Sequence, residues 1–260
     1  MLVRLVTPAA PGDAHKGIDE FEDEFMNELG LNGVATYQPY RAGGTGGLVD
    51  AANAAVNDAP VPTIIVTDGS MATDAVHAAV AVLLNPIPVV QAVGGSDYPG
   101  INYITGFYID AQGTCEEQLN STTTPIVSIL WDSSDTRSSA IKIHLDANPA
   151  GRILNWVSLA QLARTPSIID NSTFMLIPNA NFYNRRNAIA KAVESRGVPA
   201  IYHEREYRNE HPQASRAHIN VHGHHVPFTF RQAAQLTSKI LHGMLAVGAL
   251  PAMHKAQKDR

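Results

Sequence analysis

Apolar residues along this chain come in two patterns. Short runs rich in Val and Ile alternate with longer stretches in which apolar positions recur every three or four residues. Leu2 to Val6 reads as a first strand, and Thr7 to Gly12 as a loop. Ile18, Phe21, Phe25, Met26 and Leu29 fall on one face of an acidic amphipathic helix that Gly30 to Gly33 ends. Val34 to Tyr40 predicts a second strand, Gly43 to Gly47 a flexible turn, and Leu48 to Val56 a helix. Pro62 to Val66 is a strongly β-branched third strand. Thr67-Asp68-Gly69-Ser70 is a turn that also caps a helix over Met71 to Leu84. Pro88 to Ala92 predicts a fourth strand, Gly94-Gly95-Ser96-Asp97 a polar turn, and Ile101 to Ile109 a strand leaving this half.

After a break at Asp110 to Thr124 the pattern restarts. Pro125 to Trp131 reads as strand, Asp132 to Asp135 as polar loop, and Arg137 to Leu145 as helix. Ile153 to Leu159 reads as strand and Gln161 to Ile169 as a short helix. The clearest unit follows: a strand at Phe174 to Ile177, a break at Pro178-Asn179, a helix at Arg185 to Arg196, Gly197 as its stop, and a strand at Val198 to Tyr202. His218 to His222 predicts one more strand and Phe230 to His242 an amphipathic helix. The charged tail, Gly248 to Arg260, is expected to fray. Strands alternating with helices imply parallel sheets with right-handed crossovers. The fold class expected is α/β: two Rossmann-like lobes whose polar strand-to-helix loops form a ligand cleft between them.

The chain has 260 residues, 45% hydrophobic and 17% charged, which is ordinary globular composition. Net charge is −5, and no Lys/Arg run stands out, which argues against nucleic acid as partner. One cysteine, Cys115, excludes an internal disulfide and a cysteine metal site. No apolar run reaches membrane-spanning length, so an integral membrane protein is not expected. No leader is visible at Met1 to Val6. The protein is therefore expected to be cytoplasmic, or periplasmic or extracytoplasmic if a leader has been removed.

Leu176-Ile-Pro-Asn-Ala-Asn-Phe182 and Val198-Pro-Ala-Ile-Tyr-His-Glu-Arg-Glu-Tyr207, with Gly223, Phe230-Arg231, Ala233-Ala234 and Ile240 to Gly243 downstream, form a pattern that resembles the ABC transporter substrate-binding proteins of the tryptophan/tyrosine type. Phe25 to Gly30, Tyr40-Arg41 and Thr67 to Ala72 extend it upstream. Ala217 to His222 depart from the family pattern, as does the lack of a final strand and helix beyond Leu250-Pro251. The resemblance implies a type I periplasmic-binding-protein-like fold. Lobe one would be residues 1–111 plus about 216–245, lobe two 112–215, and the tail 246–260. It implies a solute-binding role beside an ABC permease, for a small amino-acid-like or polar organic ligand, with no catalysis and no cofactor. The alternatives are a cytoplasmic ligand sensor of the same fold, and an isomerase-type or His-metal enzyme.

Candidate ligand residues sit in the loops. Thr67, Gly69 and Ser70 precede a helix N-terminus, where backbone N–H groups and hydroxyls suit a carboxylate, or else serve as a simple N-cap. Ser96 and Asp97 occupy the next turn, with Asp97 placed to hold an amine or to face solvent. Asp132, Ser133, Asn179 and Asn181 form the matching loops of lobe two, or are ordinary turn formers. Phe182 would stack on a planar ligand or fill the core. Glu206 lies in a charged run that is a ligand edge or a solvated face. His218, His222, His224 and His225 are spaced for metal, but the stretch reads as strand without a supporting carboxylate, so no metal site is expected. Gly43 to Gly47 lacks the Lys-Ser/Thr of a phosphate loop, and nothing around Cys115 marks a nucleophile.

Overall fold

The computed structural model describes residues 1–11, 16–28, 35–204, 207, 220–224, 226–243 and 250–256. The chain divides into Met1–Ile109 with Val226–Ala256, lobe one, and Asp110–His225, lobe two.

Lobe one is a parallel sheet of β1 (Leu2–Thr7), β2 (Thr36–Arg41), β3 (Ile64–Asp68), β4 (Val89–Val93), β5 (Ile104–Tyr108) and β11 (His254–Lys255), in the order β2-β1-β3-β4-β5-β11. Every residue of β3 and β4 is buried, as their Val/Ile content demands of central parallel strands. On one face α2 (Leu48–Asn57) and α3 (Ser70–Val80) pack Leu48, Ala52, Val56, Ala72, Val76 and Val80 against Ile65 and Val89. α1 (Lys16–Glu22) and α9 (Val226–Leu241) pack on each other, and α9 on β4. Arg231 pairs with Glu20 at 2.7 Å and Gln235 donates to Glu24 at 2.6 Å, so polar contacts join α9 to α1 and to the π-helix Asp23–Glu28 that follows it, beside the apolar ones.

Arg4, on β1, is 1% exposed. Its guanidinium donates to the carbonyls of Ala55, Asp58 and Pro60 at 2.9, 3.0 and 3.0 Å. A buried cation thus sits at the carbonyl end of α2, where the helix dipole favours positive charge.

Lobe two repeats the plan with β6 (Ile126–Leu130), β7 (Ile153–Val157), β8 (Thr173–Leu176), β9 (Ala200–Glu204) and β10 (Asn220–His224), all parallel, in the order β7-β6-β8-β9-β10. One core joins α4 (Ala111–Ser121) and α5 (Thr136–Ala147) to Val127, Ile129 and Met175. The opposite core joins α6 (Leu159–Arg164), a 3₁₀ turn at Pro166–Ile169 and α8 (Arg186–Glu194) to Leu130, Phe174 and Leu176. Numbered from its own first strand, each sheet begins 2-1-3-4-5. The order therefore reverses at the first strand of both lobes, and in open α/β sheets the carboxyl ends flanking that reversal are where ligands bind.

Several expectations shift. The break expected at Asp110 to Thr124 is largely α4, capped by Asp110 accepting from Gly113 N at 3.0 Å. The helix expected over Ile18 to Leu29 becomes a π-helix from Asp23 to Glu28. β3 runs on to Asp68, so Thr67 and Asp68 are strand rather than turn, and α3 stops at Val80. The loop expected after Pro178-Asn179 winds into α7 (Ala180–Asn184). Beyond Pro251 a short final strand is present: β11 pairs with β5, and Ala256 N donates to the Tyr108 carbonyl at 2.7 Å.

Candidate functional site

In lobe one the reversal lies between β1 and β3, which end at Thr7 and Asp68. Thr7 Oγ1 donates to Asp68 Oδ2 at 2.7 Å and accepts from Ala9 N at 3.1 Å. Asp68 is 8% exposed, so a carboxylate is held at the mouth of this strand pair. Gly69 follows with φ 87°, a left-handed state that glycine adopts without a Cβ penalty. Gly69, not Ser70 or Thr67, is the N-cap of α3, and it makes no side-chain cap bond.

The hydroxyls are committed inside the protein. Thr67 is fully buried and pairs with Thr73 Oγ1 at 2.7 Å. Ser70 Oγ accepts from the amides of Gly95 and Ser96 at 2.7 and 3.0 Å, which fastens the Gly94–Asp97 turn to the first turn of α3. Gln91, buried in β4, accepts from Thr73 at 2.8 Å and donates to the carbonyls of Ser96 and Phe107 at 3.0 and 2.9 Å. Tyr98 closes the arrangement by donating to Asp74 Oδ1 at 2.6 Å, with its hydroxyl 3.2 Å from Ser70 O. Thr67, Gly69, Ser70 and Ser96 are thus brought into one network, with Asp97 exposed beside it. The organising residue, Gln91, was missed by sequence reasoning. Its signal is a lone amide inside an otherwise apolar strand, Val-Val-Gln-Ala-Val.

In lobe two the reversal lies between β6 and β8, and the chosen residues meet each other. Asn179 Nδ2 donates to Asp135 Oδ2 at 3.0 Å, and Asn181 Nδ2 to Asp132 Oδ2 at 3.2 Å. Asp135 caps α5 by accepting from Arg137 N, and Asn179 caps α7 by accepting from Asn181 N. Asp132 also accepts from the amide and hydroxyl of Ser134 at 3.0 and 2.6 Å. Partial burial works against its charge, but the bonds from Ser134 and Asn181 prevail and hold its pKa below the usual carboxylate value. Ser133 is exposed at the tip of this loop.

Phe182 requires a correction. It is 2% exposed and packs with Leu130, Leu176, Tyr202 and Tyr207 in the core, so it offers no face to a ligand. The first turn of α7 rotates it inward, and Tyr207 fixes it by donating to the Phe182 carbonyl at 3.0 Å. Glu206, His218 and His225 lie outside the described residues, while His222 and His224 fall on β10. Among the described residues no group of three or more His, Cys, Asp or Glu side chains gathers as a metal site. Nor is any described helix long and apolar enough to cross a membrane.

Chemically, both strand-pair mouths are rich in acceptors: Asp68 in lobe one, Asp132 and Asp135 in lobe two. Such edges favour ligand groups that donate hydrogen bonds, ammonium and hydroxyl above all, and they repel a carboxylate brought close.

No protein-family profile matches the chain, and no curated protein matches it in sequence. Solved structures do match its fold. A conserved domain protein from Vibrio cholerae superposes with TM-score 0.75 at 15% identity, covering 99% of this chain and 89% of that one. An ABC domain from Streptococcus pneumonia in complex with L-Trp gives 0.73 at 11% identity, with 99% and 89% covered. A LacI family transcriptional regulator from Arthrobacter sp. FB24 in complex with lactose gives 0.65 at 15% identity, with 100% and 97% covered. The chain has the type I periplasmic-binding-protein-like fold, in which both solute-binding proteins and regulators are found. At these identities the likeness establishes the fold alone.

Proposed function

We propose that this chain is the solute-binding component of an ABC-type uptake system. It takes a small amino-acid-like or otherwise polar organic solute on the carboxyl-edge loops of its lobes and delivers it to a permease outside the cytoplasmic membrane. No bond is made or broken in the solute. The observation that carries this reading is the paired reversal of strand order, with cross-linked polar loops at both reversals: Thr7–Asp68 and Ser70–Ser96 in one lobe, Asp132–Asn181 and Asp135–Asn179 in the other. The Trp-bound ABC domain among the fold neighbours supports an amino-acid-like ligand. The acceptor-rich edges support one that presents an amine or hydroxyls.

A second reading, a cytoplasmic sensor of the same fold, is favoured by the lactose-bound regulator. A thermal-shift screen against amino acids, aromatic amines and sugars tests ligand binding itself, since a ligand at about 100 times its Kd stabilises by about 2.7 kcal/mol. A single chemical class that raises the melting temperature supports the proposal. No shift with any class at millimolar concentration refutes it. Uptake of the identified solute by cells with and without the gene then separates transport from sensing.

A further inference from the structure

The outer strands of a sheet leave backbone groups unpaired, and an edge that is long, regular and apolar is a template for another strand. Among the described residues the two sheets end in β2, β11, β7 and β10. Three of these ends are guarded. The Thr36 and Ala42 amides donate to β1, so the residues of β2 that turn outward are Tyr37, Pro39 and Arg41. Pro39 has no N–H to offer, and Arg41 adds a charge. β11 is two residues long, and β10 loses regular register with β9 between Val221 and His224. β7 has none of these devices. Its sequence, Ile153-Leu-Asn-Trp-Val157, carries neither proline nor charge, and its register with β6 is unbroken from Ile153 to Val157. Ile153 N donates to the Pro125 carbonyl, and the Val157 carbonyl accepts from Trp131 N. Ile153, Asn155 and Val157 therefore bond to β6, while Leu154 and Trp156 turn their N–H and C=O groups outward. Ile153 is 66% exposed and Leu154, Asn155 and Trp156 are half-buried, whereas the neighbouring β6 is buried from Val127 to Leu130.

We propose that β7 is an interaction surface for a second copy of this chain, pairing antiparallel with its own counterpart across a two-fold axis at Asn155. The strand is complementary to itself in that arrangement. Leu154 falls opposite Trp156 of the second copy, and the two exchange their outward N–H and C=O groups as a hydrogen-bonded pair; symmetry repeats the exchange on the other side of the axis. Ile153 falls opposite Val157, so every cross-strand contact besides the central Asn155 pair is apolar on apolar. Leu154 and Trp156 lie on the face that packs with Ile141 and Leu145 of α5, and Ile143 of the same helix is 71% exposed. The charges over Trp156 are balanced. Lys142 Nζ lies 4.8 Å from its ring centre and pairs with Asp146 at 2.5 Å, and Asp146 accepts from Trp156 Nε1 at 2.8 Å. Each copy thus brings a matched cation and anion to the axis, and two like edges meet without net repulsion. The pairing uses the sheet edge rather than the strand-end loops, so it is independent of the solute-binding reading.

Sedimentation velocity of the full chain over about 1 to 100 μM is the test. The expected result is a reversible rise from the 27.9 kDa of one chain toward twice that mass. Leu154→Pro removes an outward N–H that β6 does not use, and is expected to weaken association by about tenfold or more. A wild type that keeps the mass of one chain at about 100 μM overturns the proposal, and so does a dimer that Leu154→Pro leaves intact. Should Leu154→Pro fail to fold, amide hydrogen exchange of the wild type decides. Exchange at the Leu154 and Trp156 amides that slows as concentration rises supports pairing through β7, and exchange at both that stays fast in the dimer overturns it.

Discussion

Replacing Gln91 by leucine removes a side chain with no exposed surface and three partners: the Thr73 hydroxyl at 2.8 Å and the carbonyls of Phe107 and Ser96 at 2.9 and 3.0 Å. Thr73 keeps its bond to the Gly69 carbonyl at 3.0 Å, so its loss is small. The side-chain bonds to the other two carbonyls have no replacement in leucine. Each lost bond costs about 1 kcal/mol, and each part-buried carbonyl left short of a partner up to about 1 kcal/mol more, giving a destabilisation of about 2 to 4 kcal/mol. Shape adds to this: a Cβ at Gly94 would lie 2.5 Å from the Gln91 side chain, so the turn is moulded on the amide and cannot settle onto a branched apolar group. Urea denaturation measures the total. Amide hydrogen exchange at Gly95 and Ser96, whose N–H groups Ser70 accepts, measures whether the Gly94–Asp97 turn loosens before the lobe unfolds. A loss below about 1 kcal/mol with unchanged exchange at those two amides would refute the claim that Gln91 organises the lobe-one edge.

Asp132 makes lobe two acid-sensitive. Its folded pKa lies below the ordinary carboxylate value despite partial burial, because Ser134 and Asn181 donate to it. Its contribution is therefore complete above the unfolded value of about 3.9 and is lost as pH falls through the lower folded value. Asp132→Asn is expected to flatten the acid limb of stability against pH by urea titration, and an unchanged limb would remove Asp132 as a cause. Gly106→Ala places a Cβ 2.0 Å from the Gln91 carbonyl oxygen at φ 123°, whereas Gly100→Ala, at φ 80°, meets nothing within 4 Å. The first should unfold lobe one or cost more than about 3 kcal/mol, and the second about 1 kcal/mol, by thermal melts with a circular-dichroism readout.

The apolar pattern alone determined most of the strands and the longer helices. Val/Ile runs at β1, β3, β4 and β6 and the spaced faces of α2 and α9 are local signals of burial, readable one segment at a time. It also placed polar turns at the strand ends, which is why Ser70, Ser96, Asp132, Asn179 and Asn181 were legible as candidates. It failed at α4, where the fully buried Thr114 and Gln118 interrupt the apolar period of a helix. It failed again at Phe182, whose polar neighbours suggest a loop although α7 turns the ring into the core. Strand order was beyond it altogether. Which loops become neighbours depends on β3 lying beside β1 and β8 beside β6, and those pairings are non-local. Only that order brings Thr7 to Asp68 and Asn181 to Asp132, and only tertiary packing makes Gln91 the support of one edge and sets Glu116 against His144. A residue's type is written in the chain, but its partners are fixed by chain segments far apart in sequence.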